Sequence, residues 1–225
     1  MDPSAPVNDY DRQLTAAEIA AKAHREFVGG LWDEIGALQF EFMKARGLAP
    51  HDRLLDVGCG ALRGGVRFVH YLDAGNYYGL DVNASLIEAG RRELAEAGLA
   101  DRRPHLLVSD SFEVSLFDTS FPYALAVSLF SHLDRSLIVA CLRNVGPALA
   151  AGGRFYASYF EAPTSSYTQP LHHPSGVITY HDCDAYHHSF AEMQAMAEEA
   201  NLEVERIGDW RHPRGQTMLA FGHSV

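Results

Sequence analysis

LLDVGCGALRGG, residues 54–65, is the stretch that decides the fold. An apolar run closes on Asp56. Gly58 and Gly60 follow at a spacing that lets the backbone turn tightly and approach a ligand with no Cβ in the way. A buried strand, a glycine turn and then a helical pattern open a βαβ unit. The next strand-like run, YYGLDV at 77–82, ends in a second acid, Asp81. It lies about 20 residues on, where a carboxylate can accept from both hydroxyls of a ribose. A third run, HLLVSD at 105–110, ends in Asp110 and is followed by Ser111 and Phe112. Acids at the C-terminal ends of successive strands face the crevice in which doubly wound sheets bind ligands. Taken singly, each could instead cap the helix that follows it.

Outward from this stretch, short β-like runs alternate with helical patterns. YALAVSLF (123–130) and GRFYASYF (153–160) read as further strands, and helices are predicted at about 62–72, 84–97, 135–150 and 190–200. LEVERIGDW (202–210) and QTMLAFGH (216–223) leave no room for a helix between them, so they form a hairpin whose last strand enters the sheet antiparallel. The predicted fold is α/β: a doubly wound, seven-stranded, mostly parallel sheet with an antiparallel last strand, plus an N-terminal helical segment. In that segment TAAE (15–18) is a capping box starting a helix that should run to Gly29–Gly30. Leu31, Ile35, Leu38 and Phe42 then fall at helical spacing, with Gly47 as a C-terminal stop. The expected organisation is an N-terminal helical lid or cap over 1–47 and a ligand-binding domain over 48–225. Within the latter, the Pro-, His- and Tyr-rich stretch 161–189 forms an insertion covering the active site, as loops of that length usually do when ordered.

Composition narrows the function. The 225 residues are 47% hydrophobic and 21% charged, enough apolar material for a full core. A formal net charge of −11 opposes phosphate-backbone binding, so no nucleic-acid partner is expected. No apolar run reaches the roughly 20 residues needed to cross a bilayer. The opening MDPSAPVNDYDRQ lacks the basic and apolar regions of a signal peptide, which makes a cytoplasmic location without membrane contact the expectation. Cys59, Cys141 and Cys183 are far apart and odd in number, giving neither a disulfide framework nor a zinc pattern.

On these motifs the chain resembles the class I S-adenosylmethionine (SAM)-dependent methyltransferases from about residue 31 to 223. LLDVGCG is similar to the family's first motif, GLDVN to its ribose-binding acid, SDSF to its adenine-contacting segment and AVSLFSHL to the segment beside the reacting methyl. The resemblance implies SAM as cofactor, with Asp56, Gly58 and Gly60 by the methionine moiety and Asp81 on the ribose. It implies Asp110 and Ser111 at the adenine amine, Val82 and Phe112 packing on the ring, and Ser128 among the cofactor contacts. WDEIGALQFEF, LRGGVRF, NYYGLDVN and the closing IGDW and HPRGQ resemble, more narrowly, small stand-alone bacterial members. A nicotinamide enzyme would want glycine where Arg63 stands.

SAM brings its own electrophile, so methyl transfer requires mainly an acceptor held in line, and the protein need supply only a base. His132, after the fourth strand, is one candidate base, although it could equally cap or pack against the next helix. Between 172 and 188 crowd His172, His173, Tyr180, His181, Asp182, Asp184, Tyr186, His187 and His188. Of these, His187 and Tyr180 are favoured as catalytic groups because a helix starting near Ser189 would hold them rigidly. No fixed metal-ligand spacing is present, so no metal is expected. The expected activity is methylation of a small-molecule substrate by a monomer or homodimer. Two alternatives share the motifs: a SAM-consuming intramolecular cyclase or lyase, for example one forming azetidine carboxylate and releasing methylthioadenosine, and a non-catalytic SAM-binding protein.

Overall fold

The computed structural model describes Tyr10 and residues 12–224, so the expectations for residues 1–9, 11 and 225 lie outside the described residues. The described chain falls into two compact units, one up to Tyr123 and one from Ala124 onward.

In the first unit, helix α1 (Ala16–Ala20) begins at the predicted capping box: the Thr15 hydroxyl accepts from the Glu18 amide and the Glu18 carboxylate accepts from the Thr15 amide. The helix does not run on to Gly29. Lys22 takes φ 60°, and a separate helix α2 (Ala23–Phe27) follows. The break has a tertiary cause, because the redirected turn brings both His24 and Arg25 to Glu93. A buried ion pair outweighs the modest local preference for an unbroken helix. Helix α3 (Trp32–Ala45) ends where expected, with Gly47 at φ 98°. Strands β1 (Leu54–Val57) and β2 (Tyr77–Asp81) flank helix α4 (Gly65–Tyr71), and helix α5 (Ala84–Glu96) leads to β3 (His105–Val108). The three strands are parallel in the order β3-β2-β1, with Leu54 opposite Tyr77 and Tyr78 opposite His105. Every residue of β1 is buried, as a strand covered on both faces requires.

The division between the units falls within β4 (Phe121–Ala126). This strand stops earlier than predicted, because Ser128 sits at φ 62° and a short 3₁₀ turn, Phe130–His132, follows. Helix α6 (Arg135–Val145) is capped by Asp134 and ends before Gly146–Pro147, so β5 (Leu149–Glu161) also starts earlier than predicted. Residues 161–189 are not a plain loop. They hold a small antiparallel pair, β6 (Leu171–His172) with β7 (Ile178–Thr179), and then β8 (His187–His188), which adds in parallel to the end of β5. Helix α7 (Phe190–Glu199) starts at a second capping box, Ser189 with Glu192. Strands β9 (Glu203–Asp209) and β10 (Thr217–Gly222) form the expected hairpin, and β10 lies antiparallel to both β5 and β9 in the order β4-β5-β10-β9. The rings of Phe130, Phe155 and Phe221, all wholly buried, pack edge-on or tilted about one another at 5.9 to 6.1 Å. The architecture is α/β, with a mostly parallel main sheet of β1–β5, β9 and β10 ending in antiparallel strands.

Candidate functional site

The glycine turn after β1 is built as its residues dictate. Gly58 and Gly60 have φ of 70° and 52°, left-handed values that carry little cost only without a Cβ. The amides of Gly58 and Cys59 both donate to the Leu80 carbonyl, which ties the turn to β2. Asp81, at the end of that strand, accepts from the Gly60 amide at 2.8 Å and from the Asn83 amide at 2.9 Å. Burial raises its carboxyl above the ordinary range, and the amides of Asn83, Gly60 and Val82 pull it back. A carboxylate has about four acceptor positions, so these amides leave capacity for a further donor. Asp56 is buried in β1, with the Tyr77 hydroxyl donating to it at 2.6 Å. Burial pushes it up to about 6, with Asp81 raising it further and Tyr77 and Arg63 opposing.

The fold thus brings Asp56, Gly58, Gly60 and Asp81 together. At the end of β3 the organiser is Ser109, which the sequence reading passed over. Its buried hydroxyl accepts from the Ser111 and Glu113 amides. Asp110 and Ser111 are exposed there, and Phe112 is nearly covered at φ 57°. Val82 is 48% exposed, an apolar side chain left uncovered directly after Asp81.

The N-terminal segment closes on the same turn. Leu14, Ile19, Ala61, Leu86 and Ala89 form one buried cluster, joined by Phe27, Val28 and Trp32. A Cβ on Gly60 would stand 3.3 Å from Val28 Cγ1. Arg63, whose place argued against a dinucleotide motif, donates to the carbonyls of Val28 and Gly30. Asn83 donates to the carbonyls of Tyr10 and Arg12 while its own side-chain oxygen caps α5. Only the cap was legible from sequence, since the partners lie more than 70 positions away.

In the second unit, the Ser128 amide donates to the Ser158 hydroxyl and its own hydroxyl donates to Gln216. His132 Nδ1 lies 2.8 Å from Asp184 Oδ1, with both side chains mostly covered. A carboxylate only accepts, so Nδ1 donates the hydrogen of this contact. Tyr180 is half-buried and is held by its backbone: its amide donates to the Ala185 carbonyl and its carbonyl accepts from the His187 amide.

His187 corrects an expectation. It is wholly buried, and both ring nitrogens are taken, Nδ1 by Thr179 Oγ1 at 2.9 Å and Nε2 by the Tyr167 carbonyl at 2.7 Å. The carbonyl requires Nε2–H, so Thr179 donates to Nδ1 and itself accepts from His173 Nε2. The chain His173–Thr179–His187–Tyr167 staples the segment and leaves His187 no nitrogen for an acceptor. The predicted rigidity is present, but burial produces it. Among the described residues no three His, Cys, Asp or Glu side chains gather as a metal set.

Residues 55–155 match the family model of a methyltransferase domain. The fold is similar to that of the CcbJ methyltransferase from Streptomyces caelestis, with a TM-score of 0.69 at 15% identity over 97% of this chain and 99% of that one. It is also similar to magnesium protoporphyrin IX methyltransferase from Synechocystis PCC 6803 with bound S-adenosylhomocysteine (TM-score 0.62, 15% identity, 86% of each chain). A third likeness is to a SAM-dependent methyltransferase from Clostridium acetobutylicum (TM-score 0.63, 11% identity, 94% of this chain and 100% of that one). A glycine turn locked to a strand-end acid lies within the matched segment, so residues 55–155 are identified as a methyltransferase domain on a fold similar to that of these enzymes.

Proposed function

We propose that the methyl group of SAM passes to an oxygen or nitrogen atom of a small-molecule acceptor, with His132 as the general base. The observation that carries this reading is the 2.8 Å contact of His132 Nδ1 with Asp184. In the neutral ring Asp184 holds the hydrogen on Nδ1, which makes Nε2 the basic nitrogen, and its charge stabilises the imidazolium that results. The acceptor's lone pair displaces the sulfonium, SAM leaves as S-adenosylhomocysteine, and the acceptor proton moves to Nε2. Tyr180 remains a candidate acceptor contact in the same segment. On the cofactor side the proposed contacts are Asp56, Gly58 and Gly60 for the methionine moiety and Asp81 for the ribose. Val82, Asp110, Ser111 and Phe112 serve the adenine, and Ser128 completes the set. The uncovered Val82 and the exposed Asp110 and Ser111 support the adenine assignment. The N-terminal segment to residue 47 is proposed as a lid over the cofactor.

The test is turnover with the product identified. His132→Ala should lower kcat by about 100-fold or more with SAM affinity unchanged, the usual scale for a lost acid–base group. Asp184→Asn should lower it less. A His132→Ala enzyme within twofold of the parent would remove the base. Release of methylthioadenosine in place of S-adenosylhomocysteine would replace methyl transfer by ring closure or elimination.

A further inference from the structure

The β9–β10 turn and the β6–β7 hairpin enclose a cleft of about 420 Å³, lined among others by Pro174, Ser175, Arg211, Arg214, Gln216 and Thr217. Pockets of this volume take small organic ligands. What distinguishes this one is charge: two arginines, three positions apart, in the lining of a cleft on a chain whose net charge is −11.

The turn that presents them is built and strained. Arg211 sits at φ 65°, a left-handed conformation that costs a non-glycine residue free energy and persists only where its surroundings impose it. Asp209 also lines the cleft, and its Oδ1 accepts from the Arg211 amide at 2.8 Å, so one oxygen of this carboxylate is engaged by backbone. His212 is 5% exposed and its ring stacks on buried Trp210 at 5.3 Å. Its Nδ1 accepts from the Arg214 amide and its carbonyl from that of Gly215. A buried aromatic pair therefore anchors the backbone between the two arginines. Among the described residues Arg211 makes no ion pair with a carboxylate.

The cleft is also tied to the proposed base. Gln216, 2% exposed, accepts from the hydroxyls of Ser158 (2.6 Å) and Ser128 (3.1 Å). Ser131 donates to the Ser128 carbonyl, and His132 follows directly. Gln216 at the cleft and Ser131, the neighbour of His132, share one hydrogen-bonded frame.

We propose that this cleft is an oxyanion subsite in which Arg211 and Arg214 grip a carboxylate or phosphate group of the methyl acceptor. The planar fork of arginine matches both anions in bidentate geometry. The assignment of the anion to the acceptor rests on the methyl-transfer reading; the anion site itself does not.

The test is calorimetry on the full chain saturated with S-adenosylhomocysteine, with benzoate, phenyl phosphate and benzamide as probes. The anions should bind at least about tenfold more tightly than benzamide, and their relative order assigns carboxylate or phosphate. Arg211→Gln and Arg214→Gln should each weaken the preferred anion by about tenfold, as loss of a charge-assisted hydrogen bond does, and Arg214→Lys should restore part of it. Benzamide binding and S-adenosylhomocysteine affinity should not change, and the latter shows that the variants are folded. Anion binding no tighter than benzamide, including no binding at all, overturns the site, as does a double Gln variant that binds like the parent. If the anions bind at the arginines but no anionic acceptor yields S-adenosylhomocysteine from SAM, the site stands and the methyl-transfer reading fails. If neutral acceptors are methylated and the anions do not bind, the reverse holds.

Discussion

Asp56 is a buried carboxyl whose donor is the phenol of Tyr77, 2.6 Å away. Around it also stand Asp81, Cys59 and Arg63. Burial lifts it from 3.8 to about 6. Between those values the folded state binds more protons than the unfolded chain, so the free energy of unfolding falls as pH rises through that window, by about 3 kcal/mol for this group. Cofactor binding has the opposite sign. With Asp56 proposed at the methionine end, the SAM ammonium pairs only with the ionised form, so SAM affinity should fall as pH drops below about 6. Tyr77→Phe removes a donor that favours the ionised form and should move that midpoint upward. Calorimetry from pH 5 to 8 reads both, and a flat profile or an unmoved midpoint would separate Asp56 from the cofactor. The geometry at Gly58, Gly60 and Asp81 was legible because a turn's demands are local: φ above zero calls for glycine, and Asp81 ends its strand. His187 was misread because rigidity does not say which way a ring faces. Asp184 was not ranked because its partner lies 52 positions away.

Helices α1 and α2 are short, at 5 residues each, and neither would persist alone. They are held by the apolar cluster with Ala61, Leu86 and Ala89 and by Glu93 of α5. Glu93 accepts two bonds from Arg25, at 2.8 and 2.7 Å, and one from His24, at 2.8 Å. Glu93→Gln keeps the shape and loses the charge. Hydrogen exchange should speed up in residues 14–28 by tenfold or more while β1 and β2 keep their protection, and stopped-flow dissociation of SAM should accelerate in parallel. Unchanged dissociation alongside faster exchange would show that the segment is not a gate for the cofactor. Legibility at this scale follows the range of the deciding contact. The capping boxes at Thr15 and Ser189 involve residues three apart, and the β9–β10 hairpin followed from chain length alone. The break at Lys22 is set by a carboxylate 68 positions from Arg25, and β6 to β8 exist only through their pairings. No local pattern encodes either.

At the scale of the whole chain the governing quantity is the net charge of −11. SAM has a sulfonium, an ammonium and a carboxylate, and so bears one net positive charge. S-Adenosylhomocysteine has lost the sulfonium charge and is neutral overall. The summed field of the protein therefore attracts the substrate form of the cofactor and is indifferent to the product form. Charges beyond a screening length of about 8 Å at physiological salt contribute little, whereas at low salt they act together. Contacts within the site, such as those proposed for Asp56 and Asp81, are shielded from solvent and change little with salt. The expected result is a Kd for SAM that rises several-fold between about 20 mM and about 500 mM NaCl, against less than about twofold for S-adenosylhomocysteine. The ratio of the two constants, measured by calorimetry on one preparation, removes any common effect of salt on the fold. Equal salt dependence would mean that discrimination between the two forms lies wholly in short-range contacts with the sulfur centre. A salt dependence confined to SAM would mean that methyl transfer itself weakens the hold on the spent cofactor, since the charge that the field attracts leaves with the methyl group.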